Sequence, residues 1–276
     1  MYTHQVLHSG QIHLWEAKGD AEQFEGRVSH CHKEYEIYYM FDGEADFTIE
    51  GQEFHVVSDS LMLIPSNVFH QWTYPPGRIH HRMTLHFFSE SLDKTMRAFF
   101  TDMFTEPLHF LNGARNNLRF FFQAIVDCEK MPAPLQEIAI ESRMVTLLTQ
   151  IYFLKSTHAI QPVIVDERIR KIINYLGQHL VEEITLDQLS DKFAITKNHL
   201  NFLFRKVVGT PIMKYITIKR LQLARQEIQN GARIGEVAYF VGFKDYTTFY
   251  RSYKSFYGYS PSVLSASHTD PAKIQL

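Results

Sequence analysis

The segment His30-Cys31-His32-Lys33-Glu34-Tyr35-Glu36, followed by Gly43, has the form HXH(X)3E(X)6G. Side chains alternate along a strand, so an extended segment points His30, His32 and Glu36 to one face. Downstream, Pro65-Ser66-Asn67-Val68-Phe69-His70 has the form PX(G/N)XXH and adds a further imidazole. Imidazole and carboxylate together suit a divalent Zn, Fe, Ni or Mn ion. The same inward-facing groups can instead hydrogen-bond an effector with no metal at all. Tyr38, Trp72, Tyr74, Arg82 and His86 are further inward candidates. Aromatic rings beside polar groups suit a sugar, whose faces are apolar and whose edges are hydroxyls. No Gly-rich phosphate loop and no Ser or Cys nucleophile motif is present.

A different chemistry is written near the other end. In 184–211, Thr185-Leu186-Asp187-Gln188 is a capping box that starts a helix. Ala194-Ile195 makes a turn and Thr196 caps the next helix. There Leu200, Leu203, Phe204 and Val207 fall at i, i+3, i+4 and i+7 and face a core. The opposite face carries Lys197, Asn198, Asn201, Phe202 and Arg205. Asn can pair bidentately with adenine, and an exposed Phe can touch a thymine methyl. The stretch 233–261 repeats the logic: Ile234, Val237 and Ala238 face inward, Gly242 turns the chain, and Asp245 caps a second helix. Phe249, Tyr253 and Phe256 face the core of that helix; Tyr246, Thr247, Tyr250 and Arg251 share the outward face, with Lys254 one turn on. Between the units, 212–229 reads as a long connector helix with Tyr215, Ile218, Leu221 and Ala224 inward. Such a connector can hold two readers about 34 Å, one DNA turn, apart.

Composition divides the chain the same way. With 276 residues, 45% apolar and 14% aromatic, it can fold as two domains, each with its own core. Residues 1–162 carry 12 Lys+Arg against 20 Asp+Glu, a net of −8, and residues 163–276 carry 16 against 10, a net of +6; together they give the overall −2. A basic C-terminal part suits a phosphate partner, which the acidic part would repel. No apolar run approaches the roughly 20 residues that span a bilayer. No export signal is visible, and Cys31 and Cys128 are too few for a disulfide framework, so a cytoplasmic location is expected.

The elements that must position these groups follow from periodicity. Residues 1 to 88 show β-branched and aromatic runs broken by turns at Asp42-Gly43 and Glu50-Gly51, which predicts an antiparallel barrel or sandwich. Residues 91–104, 116–129 and 135–154 read as helices. In the last, Ile138, Val145, Leu148, Ile151 and Tyr152 form a stripe toward the barrel, and a second apolar face with Leu147 and Phe153 suggests burial either against another subunit or between domains of the one chain. The expected organisation is an effector-binding and dimerisation domain over 1–155, a linker over 156–166, a DNA-binding domain over 167–265 and a tail over 266–276.

The two N-terminal motifs resemble the paired motifs of cupin barrels. That resemblance implies His30, His32, Glu36 and His70 as ligands of one divalent ion, used for sensing or structure. Asp59, Asn67 and Tyr74 depart from the family's pattern in the second motif. The C-terminal part resembles the AraC/XylS family of bacterial regulators, through Ala238, Gly242-Phe243, Phe249, Arg251, Lys254, Gly258 and Pro261, the Arg220-Leu221 and Ala224 of the connector, and Gly209-Thr210-Pro211. Leu264-Ser265 and Phe202 depart from it. The implied fold is α+β: a cupin-like antiparallel β-barrel with a helical appendage, then an all-α domain of two helix-turn-helix units joined by a linker helix. The implied function is a ligand-responsive regulator of metabolic genes, an activator sensing a sugar or sugar derivative. Its partners would be double-stranded promoter DNA, RNA polymerase and a second copy of the chain, with no membrane. The alternatives are a metal-dependent cupin isomerase or dioxygenase carrying a DNA-binding domain, and a ligand-independent scaffold.

Overall fold

A computed structural model describes residues 2–9, 12–20, 29–88, 92, 94–110, 117–160, 163–164 and 166–263. The chain divides into two compact units, Met1–Val165 and Asp166–Leu276. Among the described residues no helix is long and apolar enough to cross a membrane. Ser91, Asn116, Leu264-Ser265 and the expected tail lie outside the described residues.

Strands fill the first unit: β1 (Tyr2–Ser9), β2 (Ile12–Asp20), β3 (Tyr35–Asp42), β4 (Glu44–Ile49), β5 (Gln52–Val57), β6 (Ser60–Ile64), β7 (His70–Thr73) and β8 (Ile79–Phe87). Later come α1 (Lys94–Thr101), β9 (Leu108–Phe110), α2 (Leu118–Val126), α3 (Ala133–His158), β10 (Ala159–Ile160) and β11 (Val163–Ile164). They form a seven-stranded sheet, β1-β2-β8-β3-β6-β9-β10, and a four-stranded sheet, β11-β5-β4-β7, antiparallel throughout. Glu50 and Gly51 take φ of 43° and 86°, the positive pair that a tight β4–β5 hairpin needs.

β3 shows why the barrel has an inside. Ile37, Tyr39 and Phe41 join a cluster with Phe122, Ile140, Met144, Leu147, Leu148 and Ile151 of α2 and α3. Their alternates Tyr38 and Met40 pack with Phe47, Phe54, Val56 and Trp72 of the other sheet. Period-2 alternation thus sends one half of the strand to the helices and the other half between the sheets.

Several expectations shift. The first two helices are shorter than expected, each tightening into a 3-10 turn, at Asp102–Phe104 and Asp127–Lys130. α3 begins at Ala133, with Pro134 in the first turn, where a missing N–H costs nothing. Its buried stripe is Ile140, Met144, Leu147, Leu148, Ile151 and Leu154, while Ile138 and Tyr152 are exposed. The sequence offered two apolar stripes, and Leu147, expected on the outer one, belongs to the inner. The stretch expected as an irregular linker instead continues α3 to His158 and adds β10 and β11, which pair with β9 and β5.

Among the described residues the second unit has the helices α4 (Glu167–Gln178), α5 (Leu186–Phe193), α6 (Lys197–Val208), α7 (Ile212–Gln229), α8 (Ile234–Phe240) and α9 (Tyr246–Tyr257). The capping box at Thr185 is complete, with the Gln188 N–H donating to Thr185 and the Gln188 side chain accepting from the Thr185 N–H. Ala194 turns the chain in the left-handed region at φ 52°. Thr196 occupies the N-cap of α6 but makes no capping bond. Asp245 caps α9 through the Thr248 N–H at 2.8 Å. Around α9, Phe249, Tyr253 and Tyr257 pack with Leu221, Ala224, Val237 and Ala238. Phe256, expected inside, is half-buried, and Tyr257 one residue on takes the core position.

Candidate functional site

Register assembles the barrel cluster. β3 lies against β8 with Glu36 opposite His86, Tyr38 opposite Thr84 and Met40 opposite Arg82. Side chains directly opposite sit about 5 Å apart, which makes Glu36 and His86 neighbours. His30 and His32 precede β3, so strand alternation is not what places them. Backbone bonds do: His30 and His70 exchange N–H to O bonds of 3.0 Å, and Asn67 N–H donates to His32 at 2.7 Å. The ring centroids of His30 and His70 are 4.3 Å apart, of His32 and His70 5.0 Å, and of His32 and His86 4.8 Å.

Glu36 is fully buried at the centre. Its Oε2 lies 3.0 Å from His32 Nε2, 3.2 Å from His70 Nε2 and 3.6 Å from His86 Nε2. Nδ1–H of His32 donates to the Glu34 carbonyl and Nδ1–H of His70 to the Val68 carbonyl, each at 3.1 Å. A carbonyl can only accept, so Nδ1 of both rings carries a proton and Nε2 faces the cluster. His32 Nε2 also hydrogen-bonds the Glu36 carboxylate, which can only accept, so that bond needs a second proton on the His32 ring. Buried Glu36 Oε1 and His70 Nε2 have no hydrogen-bond partner among the described residues. Burial works to raise the Glu36 pKa, but the imidazoles of His86, His32 and His70 outweigh it and hold the carboxyl well below the usual range. Burial lowers His86 to about 4. Burial also pulls His32 down, but Glu36 and then Glu34 outweigh it, so its pKa rises.

These donors fit a divalent ion. His30, His32 and His70 form one group and His32, Glu36 and His86 a second, with donor atoms within 4.8 Å of one another in each. Backbone carbonyls that fix the Nδ1 proton are the outer-shell arrangement that aims a histidine at a metal. Beside the cluster, the Arg82 guanidinium lies 5.6 Å from the Tyr38 ring centroid and 5.5 Å from that of Trp72. Its Nη1 donates to Thr84 at 2.8 Å, and the Tyr38 and Tyr74 hydroxyls are 3.3 Å apart. The inward candidates of the sequence are therefore brought to one interior. The reading left out Thr84, which occupies the β8 position between Arg82 and His86, and left His86 out of the donor set. Only the β3–β8 register reveals their place.

On the second unit, α6 exposes Lys197, Asn198, Phe202 and Arg205, with Phe202 62% exposed. Asn201 is the exception, since its Oδ1 accepts from the Ile212 N–H at 3.2 Å and so tethers the start of α7. Lys197 pairs with Asp187 at 2.7 Å. On α9, Tyr246, Thr247, Arg251 and Lys254 are exposed and Tyr250 is half-buried, its ring 6.2 Å from that of Tyr246. Both outward faces combine cations, amides or hydroxyls with an aromatic ring, a surface able to meet phosphates and base edges.

The profile described as an AraC-like ligand binding domain matches residues 16–125, and one described as a helix-turn-helix domain matches 189–267. The chain is 30% identical over 102 residues to the HTH-type transcriptional activator AarP of Providencia stuartii, covering 37% of this chain and 76% of AarP. The chain belongs to the AraC family of transcription regulators. It is 22% identical over 250 residues to the HTH-type regulator YbfI of Bacillus subtilis, covering 85% of this regulator and 84% of YbfI. A crystal structure of apo ToxT from Vibrio cholerae is similar at 12% identity and TM-score 0.42, over 94% of this regulator and 98% of that chain. This AraC-family protein is a ligand-responsive, DNA-binding regulator and not an enzyme; the isomerase or dioxygenase alternative is set aside by these likenesses.

Proposed function

We propose that the barrel senses a sugar or sugar derivative and that its occupancy changes how the two helix-turn-helix units engage promoter DNA. The observation that carries this reading is the buried constellation around Glu36, in the part of the chain that matches a ligand-binding family. The rings of Tyr38 and Trp72 offer faces for the apolar side of a sugar. Glu36, Arg82, His30, His32, His70 and His86 offer groups for its hydroxyls. A divalent ion held by His30, His32, Glu36 and His70, with His86 beside them, would supply a fixed positive charge against which hydroxyls orient. On the DNA side, Lys197, Asn198, Phe202 and Arg205 of α6 and Tyr246, Thr247, Tyr250, Arg251 and Lys254 of α9 are the proposed contacts. Asn201 is retained as a reader only through its NH2 group, because its oxygen caps α7.

The regulator acts in the cytoplasm as a homodimeric activator working with RNA polymerase. The name of AarP, a transcriptional activator, supports the direction of control. Exposed Leu135, Ile138, Tyr152 and Phe153 on α3 support self-association. The test is thermal shift of the full chain against a panel of sugars, with and without Zn and with a chelator. A stabilising sugar whose effect disappears in His32→Ala supports the reading. No shift with any sugar removes the carbohydrate assignment.

A further inference from the structure

Arg220 lies on α7, the helix that connects the two helix-turn-helix units. Its guanidinium donates to three backbone carbonyls through three different nitrogens. Nε bonds Leu180 at 2.9 Å, Nη2 bonds Glu182 at 2.6 Å, and Nη1 bonds Gly242 at 2.8 Å. Leu180 and Glu182 belong to the loop that leads into α5 and the first helix-turn-helix; Gly242 is the turn between α8 and α9 of the second helix-turn-helix. One side chain therefore ties both helix-turn-helix motifs to their connector. Among the described residues no carboxylate pairs with Arg220, so its charge is directed at neutral acceptors.

Two further observations bear on the same seam. Gly242 has φ +92°, and a Cβ built there would lie 2.8 Å from Arg220 Cζ, so the turn is shaped around the guanidinium. A cleft of about 490 Å³, lined by Val181, Ile184, Met213, Phe243 and Thr248 among others, opens beside it. Arg220, Gly242, Glu183 and Lys244 line this cleft, so the bonds of Arg220 and the Lys244–Glu183 pair connect its walls. Lysine could not replace this clamp: an ammonium is a single nitrogen, whereas the planar fork reaches several fixed acceptors at once.

We propose that Arg220 is a positioning residue that fixes α6 relative to α9, so that both readers engage one duplex together. This rests on the reading that both helices contact DNA. Two linked sites gain avidity from the effective concentration that their geometry sets. A loosened seam loses that gain while each reader's own surface stays intact.

The test uses the full chain. A duplex is selected from a random-sequence library on the wild type, its two sub-sites are mapped by footprinting, and each is scrambled in turn. Wild type should bind the two-site duplex at least about tenfold tighter than either single-site duplex. Arg220→Lys should erase most of that advantage while staying within about twofold of wild type on the single sites. Gly242→Ala should reproduce the pattern, and it decides the matter if Arg220→Lys does not fold. Val237→Ala, a core truncation in the same unit, should leave the ratio unchanged. Equal losses on all duplexes, or no loss on any, would overturn the proposal. If wild type shows no two-site advantage, the two-reader reading falls and the proposal with it.

Discussion

His109 offers a prediction whose size follows from its surroundings. It sits on β9 between Met62 of β6 and Ile160 of β10, is 2% exposed, and has the Phe54 ring 6.3 Å away. Burial, and then the nearby His55, lowers its pKa to about 4. In the unfolded chain the same ring takes up a proton near pH 6.5. Between those values the unfolded state holds more protons, so stability is fully present above pH 6.5 and is lost as the pH falls toward 4. Going from pH 7.5 to 4.5 should remove about 2.5 kcal/mol through this residue alone. His86, lowered to about 4 by burial, contributes with the same sign in any variant that retains it. Urea unfolding of chelator-treated wild type and His109→Leu at both pH values isolates the His109 share. The variant should lose about 2.5 kcal/mol less than wild type across the interval. Parallel pH profiles for the two proteins would refute the account of His109 as a neutral core residue.

Other consequences are as direct. Arg251→Ala should weaken promoter binding by about 1–3 kcal/mol if it reads a base, and an unchanged gel-shift titration would strike it from the contact set. Thr185→Ala removes the acceptor of the Gln188 N–H and should cost about 1 kcal/mol in chemical denaturation. An unshifted midpoint would mean the capping box contributes nothing. His32→Ala should abolish the effector response and leave DNA binding intact. Loss of folding in that variant would make the Glu36 cluster structural.

Local signals in the sequence were enough for most of the longer secondary elements and the split in charge. The capping box at Thr185, the turns at Gly43 and Gly51, and the core stripe of α6 all depend on residues within a few positions of one another. Features set by pairing between distant strands were not legible. His86 is opposite Glu36 only because β8 lies against β3 in that register, and β9, β10 and β11 are too short to carry a period of their own. α3 had two apolar stripes, and only the barrel surface could choose between them. Asn201 looked like a free reader because its acceptor role depends on a helix start eleven residues away. Arg220 stood in the family pattern without a role, since its three acceptors are 22 to 40 residues distant.

The most direct test of the central claim is the affinity of the full chain for its selected duplex with and without the barrel's ligand. The sugar comes from the thermal-shift panel, and wild type is compared with Glu36→Gln. A ligand-induced change of about 5- to 150-fold in wild type, absent from Glu36→Gln while that variant keeps its ligand-free affinity, is the predicted result. An affinity that ignores the ligand, or a response that survives in Glu36→Gln, would contradict the account.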